Sequence, residues 1–190
     1  MAGNRKSAFS LIEIMVLLGI IAIMASIIIP NLITSWIHNH EADALKQMKL
    51  FGKDPPHFRD SGDNTGGPST ITIFSVNMDQ GLVQALEERV DHVACYHGYL
   101  FKLFYPNQED PVWHLYAWPK SYNNTGIKAF YTDSNGPVFE TNNIYQRYSG
   151  TKIPERYAAT KMADSSLAGP YGMTQISYTD GEYWYKPRNQ

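Results

Sequence analysis

His92, Cys95 and His97 place imidazole and thiol donors close together, and the first two stand at the i, i+3 spacing of one helix face, as in a zinc-type site. A fourth ligand is not evident, so the set is incomplete for a functional metal. His38 and His40 lie two apart, and on a helix such a pair faces different ways and cannot easily share an ion. They read as polar residues at the outer surface of a membrane. Asp133-Ser134-Asn135-Gly136, with Glu140 downstream, supplies oxygen donors like part of a calcium loop, though without the twelve-residue spacing of the best-known one. A simple Asn-Gly turn accounts for the same residues. There is no glycine-rich phosphate cradle, no nucleophile elbow and no haem-attachment pair of cysteines. These residues point to a protein that is not an enzyme and needs no cofactor, with calcium as the one alternative.

Glu13 poses a different chemical question. It stands at the start of a stretch in which Ile14 to Ile37 carries no formal charge and Ile14 to Ile29 is apolar apart from Gly19 and Ser26. That length exceeds the roughly 20 residues a helix needs to cross a bilayer core. A charge near the bilayer centre costs about 2.5–3.5 kcal/mol on insertion scales, so Glu13 needs a partner or a task. Arg5 and Lys6 precede the run and set the N-terminus in the cytoplasm by the positive-inside rule. A cleaved secretory signal fits poorly, because a cut after Ala25 puts the large Ile23 three positions before it.

The remaining bulk properties bound the answer further. A chain of 190 residues holds one ordinary domain plus an anchoring segment. A net charge of −2, with scattered Lys and Arg, gives no field for gripping phosphate backbones, so nucleic acid is not an expected partner. The single cysteine, Cys95, cannot form an intrachain disulfide, so the fold stands on its core.

The leader Met1 to Ala8, the block Phe9-Ser10-Leu11-Ile12-Glu13 and the apolar run ending at Ile29-Pro30-Asn31-Leu32 resemble the N-terminus of type IV pilins and type II secretion pseudopilins. With Phe9 as first mature residue, Glu13 falls fifth and Pro30 twenty-second, the register of that family. The resemblance covers about the first quarter of the chain. It implies a cut between Ala8 and Phe9 by a membrane prepilin peptidase, an aspartyl protease, followed by N-methylation of Phe9. Ala8 departs from the family, which usually has glycine there, and its methyl group is expected to slow the cut. The resemblance further implies that Glu13 pairs with the Phe9 amine of a neighbouring subunit. In a low-dielectric medium that pair offsets part of the desolvation cost of each charge. By the same resemblance Glu13 argues against a filament-tip subunit, since the tip-type pseudopilin of the family typically lacks that glutamate. Major pseudopilins of the family bind calcium in their heads, at a motif not matched here.

Pro30 predicts a bend in the helix rather than its end, because Leu32, Ile33, Trp36, Ile37, Ala44, Leu45 and Met48 continue an apolar stripe at helical spacing. One helix over 9–51 would run roughly 60 Å at 1.5 Å per residue. Gly and Pro composition predicts a loop over 52–69, a short β run over 70–76 and an amphipathic helix over 79–94. Aromatic and β-branched runs over 99–105, 113–118, 127–132 and 138–141, separated by Asn124-Thr125-Gly126 and Ser134-Asn135-Gly136, predict an antiparallel meander. Residues 143–190 form a Tyr-rich extension, in which Asp180-Gly181 marks a hairpin between 175–178 and 182–185. The head segments around Gly98-Tyr99-Leu100-Phe101 and Phe130-Tyr131-Thr132-Asp133 also resemble, more loosely, heads behind prepilin leaders in some bacterial envelope proteins.

The fold class expected is α+β and pilin-like: a leader over 1–8, a membrane and stalk helix over 9–51 packed on a small antiparallel sheet, and a head over 70–142. The function expected is a structural subunit of a pilus or secretion filament. Its partners would be other pilins or pseudopilins, the prepilin peptidase and an inner-membrane assembly platform. It would sit in a bacterial inner membrane with the head periplasmic or extracellular. The alternative is a monomeric inner-membrane-anchored binding module with a periplasmic head.

Overall fold

Helix α1 begins at Leu11 and runs unbroken through Pro30 to Lys53 in the computed structural model of the chain. The structure describes residues 10–53, 57–60, 68–72, 78–87, 93–106, 111–159, 175–176, 182 and 184–186. The chain divides into two compact units, residues 1–36 and 37–190.

In the first unit every residue of α1 but Ala25 is exposed, from Leu11 to Trp36. This helix is long and apolar enough to span a membrane. Pro30 has no N–H to offer the carbonyl of Ser26. Hydroxyls work on the same stretch of backbone: Ser26 Oγ donates to the Ile23 carbonyl at 2.7 Å and Thr34 Oγ1 to the Pro30 carbonyl at 3.0 Å.

The second unit starts with a change of face. From Ile37 onward α1 buries Ile37, Glu41, Ala44, Gln47, Met48 and Phe51, a stripe at 3.6-residue spacing. Two short strands, β1 (His57–Asp60) and β2 (Pro68–Thr72), pair antiparallel. The expected loop over 52–69 therefore holds the last turn of the helix and a strand. His57-Phe58-Arg59-Asp60 is too short, and has too few apolar residues, to display a strand period. Helix α2 covers Gln80–Glu87. It is capped by Asp79, whose Oδ1 accepts the amides of Gly81 at 3.0 Å and Leu82 at 3.2 Å. The helix expected to reach residue 94 is shorter, because Val93 belongs to the next strand.

That strand, β3 (Val93–Tyr96), opens a seven-stranded antiparallel sheet. It continues through β4 (Tyr99–Phe104), β5 (His114–Pro119), β6 (Ala129–Asp133) and β7 (Val138–Thr141) as a meander, each strand pairing with the next. The hairpin β8 (Gln175–Ile176) and β9 (Trp184–Tyr185) extends it, with β9 beside β7. Gln175 pairs with Tyr185 and Ile176 with Trp184; the expected turn residues Asp180 and Gly181 lie outside the described residues.

Both faces of the central strands are covered. Tyr99, Phe101, Leu103, Leu115, Ala117, Phe130 and Val138 join Ala44, Met48 and Phe51 of α1 and Leu82, Val83 and Leu86 of α2 in one core. Tyr116, Trp118, Tyr131 and Phe139 face the other way, onto Tyr148, Ala158, Ala159 and Trp184. All six residues of β5 are buried. A strand covered on both sides has no polar face, which is why its alternation is unreadable in sequence. The boundary expected at residue 142 also fails, since Tyr148, Ala158, Ala159 and Trp184 build the second core.

Candidate functional site

The expected processing site, Ala8 and Phe9, lies outside the described residues. Glu13 is described, exposed in the first turn of α1, with its Oε2 accepting the Ser10 amide at 3.3 Å. Ser10 and Glu13 therefore occupy the positions of a capping box, in which an N3 carboxylate satisfies the amide of the cap residue. The S-x-x-E spacing ahead of an apolar run carried this signal in the sequence. Gly19, Ala22 and Ser26 fall at i, i+3 and i+7 along the same exposed helix, a spacing that lets two membrane helices approach closely.

In the second unit buried polar groups tie segments together. Glu41, on α1, is nearly buried; its Oε1 accepts the amides of Ile127 at 2.9 Å and Lys128 at 3.1 Å. Glu140, across the sheet ladder from Phe130, pairs with Lys128 Nζ at 2.9 Å. These two carboxylates act on tyrosines nearby. Burial pushes the Tyr99 phenol far above its ordinary value, and the charges of Glu41 and Glu140 push it further. Tyr185 is raised in the same way, by burial first and then by Glu140. Asn143 is fully buried, with its amide nitrogen donating to the carbonyls of Ile127 at 3.1 Å and Tyr148 at 3.0 Å and its oxygen accepting the Tyr148 amide at 2.6 Å. Glu182, also buried, accepts the Thr141 hydroxyl at 2.9 Å and the Gln146 amide. On the second face Tyr131 donates to Asp133 Oδ2 at 3.0 Å, and its oxygen lies 3.0 Å from His114 Nδ1.

The metal candidates do not converge. Cys95 is exposed on β3 rather than on a helix, His97 pairs with Asp43 at 2.9 Å, and His92 lies outside the described residues. His40 contacts the Thr125 carbonyl at 3.1 Å, whereas His38 is 3.8 Å from Glu41. Among the described residues no group of three or more His, Cys, Asp or Glu is placed to hold an ion. The calcium reading joined Asp133 to Glu140, but these side chains leave opposite faces of the sheet: Asp133 is in step with Tyr131, and Glu140 pairs across from Phe130. Asp133 instead closes its own turn, accepting the Asn135 amide at 2.8 Å and its side-chain nitrogen at 3.2 Å. Gly136 takes φ +90, a conformation glycine adopts at no steric cost.

No family model, no curated protein and no solved structure matches this chain. The sequence reading missed Glu41, Asn143 and Glu182 as positioning groups. Glu41 is one carboxylate on a soluble helix turn, and nothing in its neighbours along the chain distinguishes it from a solvated charge.

Proposed function

We propose that the chain is a prepilin-type structural subunit. It is cut between Ala8 and Phe9, anchored by α1 with its N-terminus in the cytoplasm, and assembled through its membrane helices into a pilus-like or secretion filament. The observation that carries this reading is an exposed helix of membrane-spanning length with one carboxylate, Glu13, in its first turn and proline at Pro30. Cleavage before Phe9 would create a cation in register with Glu13. The pair would set the stagger between neighbouring helices, and Gly19, Ala22, Ala25 and Ser26 would allow their close approach. The subunit binds no ATP in this account, so assembly is driven by a separate cytoplasmic motor.

One observation favours the second reading, a monomeric anchored module. Glu13 already has a partner inside its own chain, the Ser10 amide, and a capped carboxylate needs no neighbouring subunit. Glu13→Ala separates the two. A filament subunit stops assembling, as read by shearing and sedimentation of surface filaments. An anchored module inserts at least as well and keeps its function.

A further inference from the structure

Two loops of the head are tied into one surface. The β5–β6 connection, residues 120–128, meets the segment after β7, residues 142–152. The Tyr122 amide donates to Ser149 Oγ at 2.9 Å, and the Arg147 guanidinium sits 5.8 Å from the centre of the Tyr122 ring. Neither segment contains an aspartate or a glutamate, yet they carry Lys120, Lys128, Arg147 and Lys152. Glu140 neutralises Lys128. Lys120, Arg147 and Lys152 are exposed. The carboxylates beneath are buried and engaged, Glu140 by Lys128 and Glu182 by Thr141 and Gln146. Glu155 is the first exposed acid along the chain beyond Lys152.

This cationic surface is also rigid and partly aromatic. Asn123, Asn143 and Arg147 hold positive φ values of 61, 53 and 50, conformations that persist for side-chain-bearing residues only when their surroundings enforce them. The buried Asn143 and Glu182 do so here, by fixing the amides of Tyr148 and Gln146. What the loop holds out to solvent is Ile144 and Tyr145, 55% and 64% exposed. Together with Tyr157 these are the large hydrophobics left exposed among the described residues of the head. An ordered loop loses little conformational freedom when a ligand lands on it, so binding costs less.

We propose that this surface binds an acidic glycan, a chain of uronic-acid-type sugars. Carboxylates of such a chain would pair with Lys120, with Arg147 in the bidentate geometry that guanidinium favours, and with Lys152, whose ammonium also donates to the Gln146 carbonyl. The apolar face of a pyranose ring would pack on Tyr145, and the exposed Asn123 amide would serve the hydroxyls. Charge complementarity selects the anion. Three cations on two short loops give no extended track for a phosphate backbone, which favours a glycan over nucleic acid. The proposal holds for a filament subunit and for an anchored module alike.

The test uses the full chain in lipid nanodiscs, titrated with a galacturonic acid hexasaccharide, with neutral maltohexaose and with a single-stranded oligothymidylate. The acidic hexasaccharide binds, weakens as salt rises because exposed charges are screened, and outbinds maltohexaose by roughly tenfold or more. Lys120→Gln with Arg147→Asn, the latter a residue that tolerates positive φ, weakens it by about tenfold at an unchanged melting temperature. Should that pair disturb the loop, Lys120→Glu at an exposed site gives the same loss of binding. Absence of uronate binding, equal binding of maltohexaose, or tighter binding of the oligothymidylate overturns the proposal.

Discussion

Glu41→Ala should loosen the attachment of the β5–β6 loop to α1 without removing any apolar contact. Glu41 Oε1 is the acceptor for two amides, Ile127 at 2.9 Å and Lys128 at 3.1 Å. An orphaned buried donor costs about 1–3 kcal/mol. Both residues are only half-buried, so water recovers part of that, and a total of about 2–3 kcal/mol is expected. If the opening is local, these two amides exchange with deuterium roughly 30- to 150-fold faster, since about 1.4 kcal/mol is a factor of ten. Glu41→Gln keeps an acceptor oxygen and loses only the charge, so about 1 kcal/mol and fivefold faster exchange are expected. Amide-resolved hydrogen exchange on the full chain in micelles reads both variants. Unchanged protection of Ile127 and Lys128 in Glu41→Ala, or equal damage from Glu41→Gln, would refute the assigned role.

Four other outcomes follow from the same interior. The head loses stability as pH climbs past about 10, where the unfolded-state tyrosine titrates while Tyr99 stays protonated in the fold. The folded state then binds more protons than the unfolded one, so stability falls by about 1.4 kcal/mol per pH unit from this group, present in full below pH 10, and alkaline denaturation curves of wild type and Tyr99→Phe should diverge there. Trp184→Ala empties a fully buried site and should cost about 3–5 kcal/mol by thermal or denaturant unfolding, and truncation after Asn142 should unfold the head, since Tyr148, Ala158 and Ala159 leave with it. Asn143→Ala forfeits three side-chain hydrogen bonds and leaves at φ 53 a residue that tolerates that conformation less well than asparagine; it should be more destabilising than Asn143→Gly, which loses the same bonds without the steric cost, by about 1 kcal/mol in paired unfolding curves.

The helix and the meander were legible because each rests on local signals. An unbroken apolar run announces α1, and the four central strands sit within two residues of their expected ends because turn residues such as Asn135-Gly136 punctuate them. Facing was not legible, because β5 to β7 are almost entirely buried on both sides, and because β4, which does alternate buried with half-buried positions, carries the apolar Leu100 and Phe104 on its less buried face. The strand at His57–Asp60 was hidden by its charges, and Val93 fitted a helical stripe that β3 claims through its pairing with Lys102. The place of residues 143–190 in the core depends on Trp184 crossing back to the face of Tyr116 and Tyr131, with ring centres 6.0 and 6.2 Å apart. Contacts of that sequence separation leave no periodic trace. At the N-terminus the Ser10-x-x-Glu13 spacing held the capping signal in the sequence, and the coordinates show the Ser10 amide on the Glu13 carboxylate.

The central claim is that this chain is processed and assembled as a pilin-type subunit, and the mass and N-terminal residue of the protein recovered from membranes test it most directly. The account predicts a chain beginning at N-methylated Phe9. A chain that keeps residues 1–8, in cells whose prepilin peptidase cleaves its other substrates, would contradict it.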